Sequence, residues 1–149
     1  MEPYAALAAA DADCVVVHTP QHVRAALAAA YAAERPVILA SAPGAAQYQG
    51  PGWLLRVART AASGCPGVRW TLVLDAGDAA GFALAALEAG VPAVCVDGLP
   101  REGLRSLRAI ADGLGATVLE GQRDGVDLLS CADPVAACRS LLNPAAQGI

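Results

Sequence analysis

The chain has 149 residues, ten basic and fourteen acidic, for a formal net charge of −4. That length suits one compact domain burying about 70% of its unfolded surface, and it falls short of the roughly 250 residues of a complete barrel of eight βα units. The negative charge and scattered basic residues exclude an electrostatic nucleic-acid or anionic-membrane surface; all ten are arginine, which removes Schiff-base chemistry on a lysine amine.

No apolar run reaches the length of a membrane span, and the first residues, MEPYAALAAADAD, are acidic where a signal peptide is basic, so a cytoplasmic chain is expected. Cys14, Cys65, Cys95, Cys131 and Cys138 are odd in number, dispersed and without a CxxC pair. They signal neither a disulfide framework nor a structural zinc site, and read as small buried hydrophobes.

In chain order, Asp13 to Val17 reads as a buried strand. Thr19 caps a helix that has Pro20 at its first position and runs from about Gln21 to Glu34. Arg35-Pro36 ends it and opens a second strand, Val37 to Ala40. A small-residue loop then reaches Gly52, and apolar residues at helical spacing run from Trp53 to the break at Ser63 to Gly67. The third strand is Trp70 to Leu74, followed by a helix from Asp78 to Glu88 with Gly90 as its cap, and a fourth strand, Ala93 to Val96. A helix from Arg101 to Leu114 stops at Gly115, and Ala116 to Leu119 supplies the fifth strand. Gln122 to Ser130 reads as a loop with a short extended piece. Asp133-Pro134 caps a last helix to about Leu142, and the tail beyond Pro144 is expected to fray.

Apolar strands alternating with helices, with no linker between them, specify a single α/β domain over residues 1–149 with a parallel sheet covered by helices. Periodicity leaves open a doubly wound sheet or part of a barrel. In either, the loops after the strands share one side, where His18, Ser41, Asp75, Asp97 and Glu120 lie. Asp75 is the best candidate for moving a proton, because it ends an apolar run and only Ala76-Gly77 follow it. Asp78, in turn, is placed to cap the next helix. Asp97-Gly98 reads as a turn carboxylate as well as a ligand contact. The loop holding Ser41, Gly44, Tyr48 and Gly50 offers backbone N–H groups to a phosphate, without matching an established phosphate-loop pattern. His18 and His22 are four apart but straddle Pro20, which argues against a shared metal site.

The segments PVILASAPGAAQYQG, LDAGD and VDG, with Arg123 to Asp127 and Ala132-Asp-Pro134 after them, resemble in collinear order the class II, zinc-dependent fructose-bisphosphate and tagatose-bisphosphate aldolases. The resemblance implies part of a TIM barrel, roughly its first half to two-thirds, and places the family's catalytic proton donor at Asp75. It also marks departures. The family's zinc-ligand histidine after that aspartate is Ala76, the histidine two before it is Val73, and the loop serine falls at Ala42 with Ser41 displaced by one. Glu120 aligns, across a gap, with a glutamate of the family's fifth-strand segment. The remaining zinc-binding histidines and the later phosphate loop fall beyond Ile149.

Aldol cleavage needs its enediolate stabilised by a lysine-derived enamine or by a Lewis-acid metal. The resemblance therefore implies a truncated, degenerate member without zinc or another cofactor, inactive by itself. Such a chain is expected to bind a small phosphorylated metabolite or a protein partner, with a homodimer or hetero-oligomer covering the open sheet edge. Two alternatives stay open: an acid–base enzyme using His18, Asp75 and Glu120 on a small carbonyl or phosphate compound, and an aldolase completed by a partner chain.

Overall fold

The computed structural model describes residues 1–121 and 124–143, so the expected frayed tail lies outside the described residues. Six strands form one parallel sheet: β1 (Asp13–Val16), β2 (Val37–Ala40), β3 (Trp70–Asp75), β4 (Ala93–Val96), β5 (Thr117–Glu120) and β6 (Val126–Asp127), in the order β5-β4-β3-β2-β1-β6. The helices are α1 (Tyr4–Ala9), α2 (Pro20–Ala33), α3 (Ala46–Gln49), α4 (Trp53–Ala62), α5 (Ala80–Glu88), α6 (Arg101–Leu114) and α7 (Pro134–Leu142). This is the expected parallel βα architecture, a partial TIM barrel. Among the described residues no helix is long and apolar enough to cross a membrane.

The expected caps form. Thr19 accepts the His22 N–H at the start of α2, and Asp133 accepts the Ala136 N–H at the start of α7. Three elements differ from expectation. A short helix, α1, occupies the N-terminal stretch, and α3 forms inside the small-residue loop. The helix expected from Asp78 begins at Ala80, with Ala79 in the capping position and no side-chain cap. Asp78 therefore does not cap it.

The sixth strand changes the topology. β6 runs parallel to β1, with Val126 beside Val15 and Asp127 beside Val16. In a closed barrel that place belongs to the last strand. Only residues 121–125 connect β5 to β6, although the two strands lie at opposite edges of the sheet. Six flat strands would hold those edges about 24 Å apart, while the six residue steps from Glu120 to Val126 span at most ~20 Å. The sheet is therefore rolled. Its two faces carry separate cores. Val15, Leu39, Leu72 and Val94 face the helices, whereas Cys14, Val16, Ile38, Ala40, Val73 and Cys95 face inward, where Tyr4 and Leu7 of α1 close the lower end.

Candidate functional site

A cavity of about 220 Å³ opens at the C-terminal end of the strands on the inner face. Val16, Ala40, Val73 and Cys95 form its apolar floor, and Ser41, Asp75, Asp124 and Asp127 its polar rim. The parallel register explains why these residues meet: Val16, Ala40 and Val73 are successive neighbours across β1, β2 and β3, and Asp75 pairs with Cys95.

Asp75 is half-buried at the end of β3, and its Oδ1 accepts the Gly44 N–H at 2.9 Å and the Gly77 N–H at 2.8 Å. Ser41 is buried and ties the same two segments, its Oγ accepting the Asp75 N–H at 2.9 Å and donating to the Ala42 carbonyl. Gln47 adds a third tie, donating Nε2 to the Ala76 carbonyl at 2.9 Å. The loop after β2 and the turn after β3 thus form one laced unit with the Asp75 carboxylate as its knot. Gly44 has φ +68 and Gly77 φ +58, left-handed conformations that let both N–H groups turn onto one oxygen.

Asp127 repeats the arrangement on the opposite wall. Its Oδ1 accepts the Leu129 N–H at 2.9 Å and lies 2.7 Å from His18 Nε2. His18 follows the end of β1, and its own N–H donates to His22 Nδ1 at 3.1 Å. The two rings meet edge to face, with centroids 5.8 Å apart. Burial pushes the Asp127 carboxyl up, but the Leu129 N–H and the His18 ring together outweigh it and hold the group below the usual carboxylate range. Burial, and then the neighbouring His18, pushes His22 down against an opposing pull from Asp127.

Both shifts act in the same direction on stability. A histidine whose folded pKa is depressed takes up its proton in the unfolded chain first, so stability falls as pH drops below the ordinary histidine value of about 6.5. Asp127 contributes stability above the ordinary carboxylate value that is lost as pH falls through its lower folded value. Urea midpoints should therefore decline from pH 7 to pH 5, and His22→Gln should flatten the decline in that window. A slope unchanged by the substitution would assign it elsewhere.

Several sequence expectations separate at this point. Asp75, Ser41 and, through Asp127, His18 are gathered at the cavity. Glu120 is not: it registers with Val96, whose side chain faces the helices, and its carboxylate pairs with Arg108 of α6 at 3.2 Å. Asp75 registers with Cys95 on the inner face. Glu120 and Asp75 thus lie two strands apart on opposite faces, which removes the convergent His18, Asp75 and Glu120 site. The phosphate cradle is also displaced, because the Gly44 N–H is engaged by Asp75. Tyr48 is 68% exposed, and neither it nor Gly50 lines the cavity. Asp97 is exposed and stands outside the cavity; its backbone N–H donates to the Gly77 carbonyl. Asp124 and Asp127 were not singled out by the sequence, apart from the resemblance of their segment to an acidic loop. Asp124-Gly125 next to a Val-Asp pair was the one local signal there.

The zinc of the resembling family does not fit the described donors. Ala76 is fully buried in the helix-side core, Val73 is apolar in the floor, and among the described residues no three His, Cys, Asp or Glu side chains form a metal-binding group. Cys138 is buried, and that burial, with Cys131 nearby, pushes its thiol up to about 11, the protonated form that metals bind poorly.

No curated protein matches the chain. A Coccidioides immitis crystal structure named for fructose-1,6-biphosphate aldolase is similar over 85% of this chain and 52% of its own, at 22% identity and a TM-score of 0.60. This chain thus spans about half the length of that structure, and the likeness establishes the fold. The family described as Fructose-bisphosphate aldolase class-II matches residues 6–102, from within α1 through β4 to the start of α6. By that match, which takes in the strands carrying Ser41 and Asp75, the chain belongs to the class II fructose-bisphosphate aldolase family.

Proposed function

We propose that this member of the family binds a small metabolite without cleaving it. One observation carries the reading: both aspartates that clamp the cavity walls, Asp75 and Asp127, spend an oxygen on two N–H donors of their own chain. They serve as fasteners of the binding site. Carbon–carbon cleavage also needs its developing oxyanion stabilised by a cation or by converging hydrogen-bond donors, and among the described lining residues no lysine, arginine or histidine supplies a cationic side chain. For the same reason the described rim favours an uncharged, hydroxylated ligand over the phosphorylated one expected from the loop glycines.

The test combines two measurements on the full chain. Cleavage of fructose 1,6-bisphosphate with added zinc should stay at the buffer rate, with less than about one-tenth of an equivalent of zinc retained after dialysis. Fructose should bind saturably, and Ala40→Leu, which fills the floor, should abolish that binding. Cleavage above the buffer rate, or a full equivalent of zinc, overturns the reading. The outer edge of β5, unpaired among the described residues, supports a homodimer or hetero-oligomer as the assembled form; a monomer in sedimentation at micromolar concentration refutes that part.

A second reading rests on the 2.7 Å contact between His18 and Asp127, which orients the imidazole beside the cavity as a general base would be oriented. It calls for solvent deuterium entering dihydroxyacetone at the carbon next to the carbonyl, with the exchange lost in His18→Asn. No incorporation above the buffer control ends it.

A further inference from the structure

A second feature, with no role in the site described above, lies on the outer helical layer. A groove of about 570 Å³ runs between α2 and α7. Along α2 it is lined from Gln21 to Ala33, which sets its length at about 18 Å by helical rise. Ala25 and Ala29 are buried and form its floor, Ala28 and Ala32 its exposed lip, and the 45% exposed Val135 of α7 faces it from the other side.

Its charged lining residues are two arginines, Arg24 from α2 and Arg139 from α7, with the uncharged Gln21 and Asn143 as the other polar groups. Among the described residues neither guanidinium has an ion-pair partner, and no carboxylate lines the groove. Two like charges on one apolar trench, in a chain of net charge −4, form a positive site with no internal counter-charge. Its complement is an anion carried on an apolar body, because the guanidiniums supply bidentate donors and the alanines supply only surface to cover.

The volume selects the kind of occupant. A docked helix of two turns, 10–12 Å across, requires roughly 1,000 Å³. The groove holds a little over half of that and falls within the range of small-molecule sites. We propose that the α2–α7 groove binds a small amphiphilic carboxylate, an aliphatic acid whose chain lies on the alanines and whose carboxylate bridges Arg24 and Arg139.

The probe is decanoate, titrated calorimetrically into the full chain beside acetate and decanol. Decanoate should bind one per chain at a Kd of about 0.1 mM, with acetate and decanol each at least ~10-fold weaker. Arg24→Gln and Arg139→Gln should each weaken decanoate by about 10-fold, and both sites are exposed enough for the variants to fold. Ala28→Leu, on the exposed lip, should block the trench while leaving the arginines in place. Fructose binding in the barrel cavity should be unchanged in all three variants, which keeps this outcome distinct from that of the cavity ligand. The proposal fails if decanoate binds the two arginine variants as well as the parent, or if decanol competes equally. It fails also if decanoate does not bind and the arginine variants instead change the sedimentation coefficient, since the groove would then be covered by a second copy of the chain.

Discussion

Replacing Asp75 by alanine should lower the unfolding free energy by about 3 kcal/mol, because the Gly44 and Gly77 N–H groups lose their acceptor in a partly buried place and each orphaned donor costs about 1–3 kcal/mol. Asp75→Asn retains an acceptor oxygen in the same position and should cost about 1 kcal/mol, the difference between a charged and a neutral acceptor. The pair of variants separates a fastening carboxylate from a proton-transferring one. A fastener shows a graded loss of stability and, in the asparagine variant, ligand binding within about threefold of the parent, corresponding to less than about 1 kcal/mol. If urea unfolding gave both variants the stability of the parent, Asp75 would have no fastening role, and the cavity would not be held by its aspartates.

Gly125→Ala should be the second most damaging single change. A Cβ there would lie 2.9 Å from the Cys14 carbonyl oxygen and 3.0 Å from its Sγ, closer than real contacts allow, and the nearest neighbour is backbone that cannot swing away. The return segment must then lift from β1, taking the β6 pairing and the His18–Asp127 contact with it. Overpacking of this kind costs about 1–3 kcal/mol, and at this chain length each kcal/mol lowers the melting temperature by ~2–4 °C. The histidine signals in an NMR spectrum provide the specific readout: His18 should lose its dependence on Asp127 before the sheet unfolds. Gly103 has open space around its Cβ position and serves as the control, with no loss expected beyond the effect of the glycine itself.

Much of the fold was legible because local chemistry and tertiary structure agree. Val37 to Ala40, Trp53 to Ala62, Ala93 to Val96 and Arg101 to Leu114 form the elements their apolar runs and breakers specify, and Thr19 and Asp133 cap where a hydroxyl or carboxylate precedes a proline. The short extended piece expected between Gln122 and Ser130 is there as β6, but its place beside β1 was beyond such reading. Two residues have no periodicity, and Val126-Asp127 is a strand only because β1 offers an edge for it. The facing of Glu120 was hidden for another reason. Strands buried on both sides are apolar at every position, so alternation says nothing about which face a terminal residue takes. Asp75 was found because a lone carboxylate ends an apolar run. Its role as an acceptor depends on Gly44, thirty-one positions earlier, and no local pattern records that pairing.

The β1–β6 pairing also bears on how the chain is made. Synthesis proceeds from the N-terminus, so β1 emerges early, yet its outer neighbour is supplied by Val126 and Asp127, near the end of the described chain. Until β6 has been made, the nascent sheet grows from β1 toward β5 while the β1 edge stays bare to any other extended segment nearby. A released chain that stops between β5 and β6 would be a species whose two edges are both unpaired. Chains truncated there are the ones that should bind chaperones most strongly, and chains that extend past α7, with β6 seated on β1, should not.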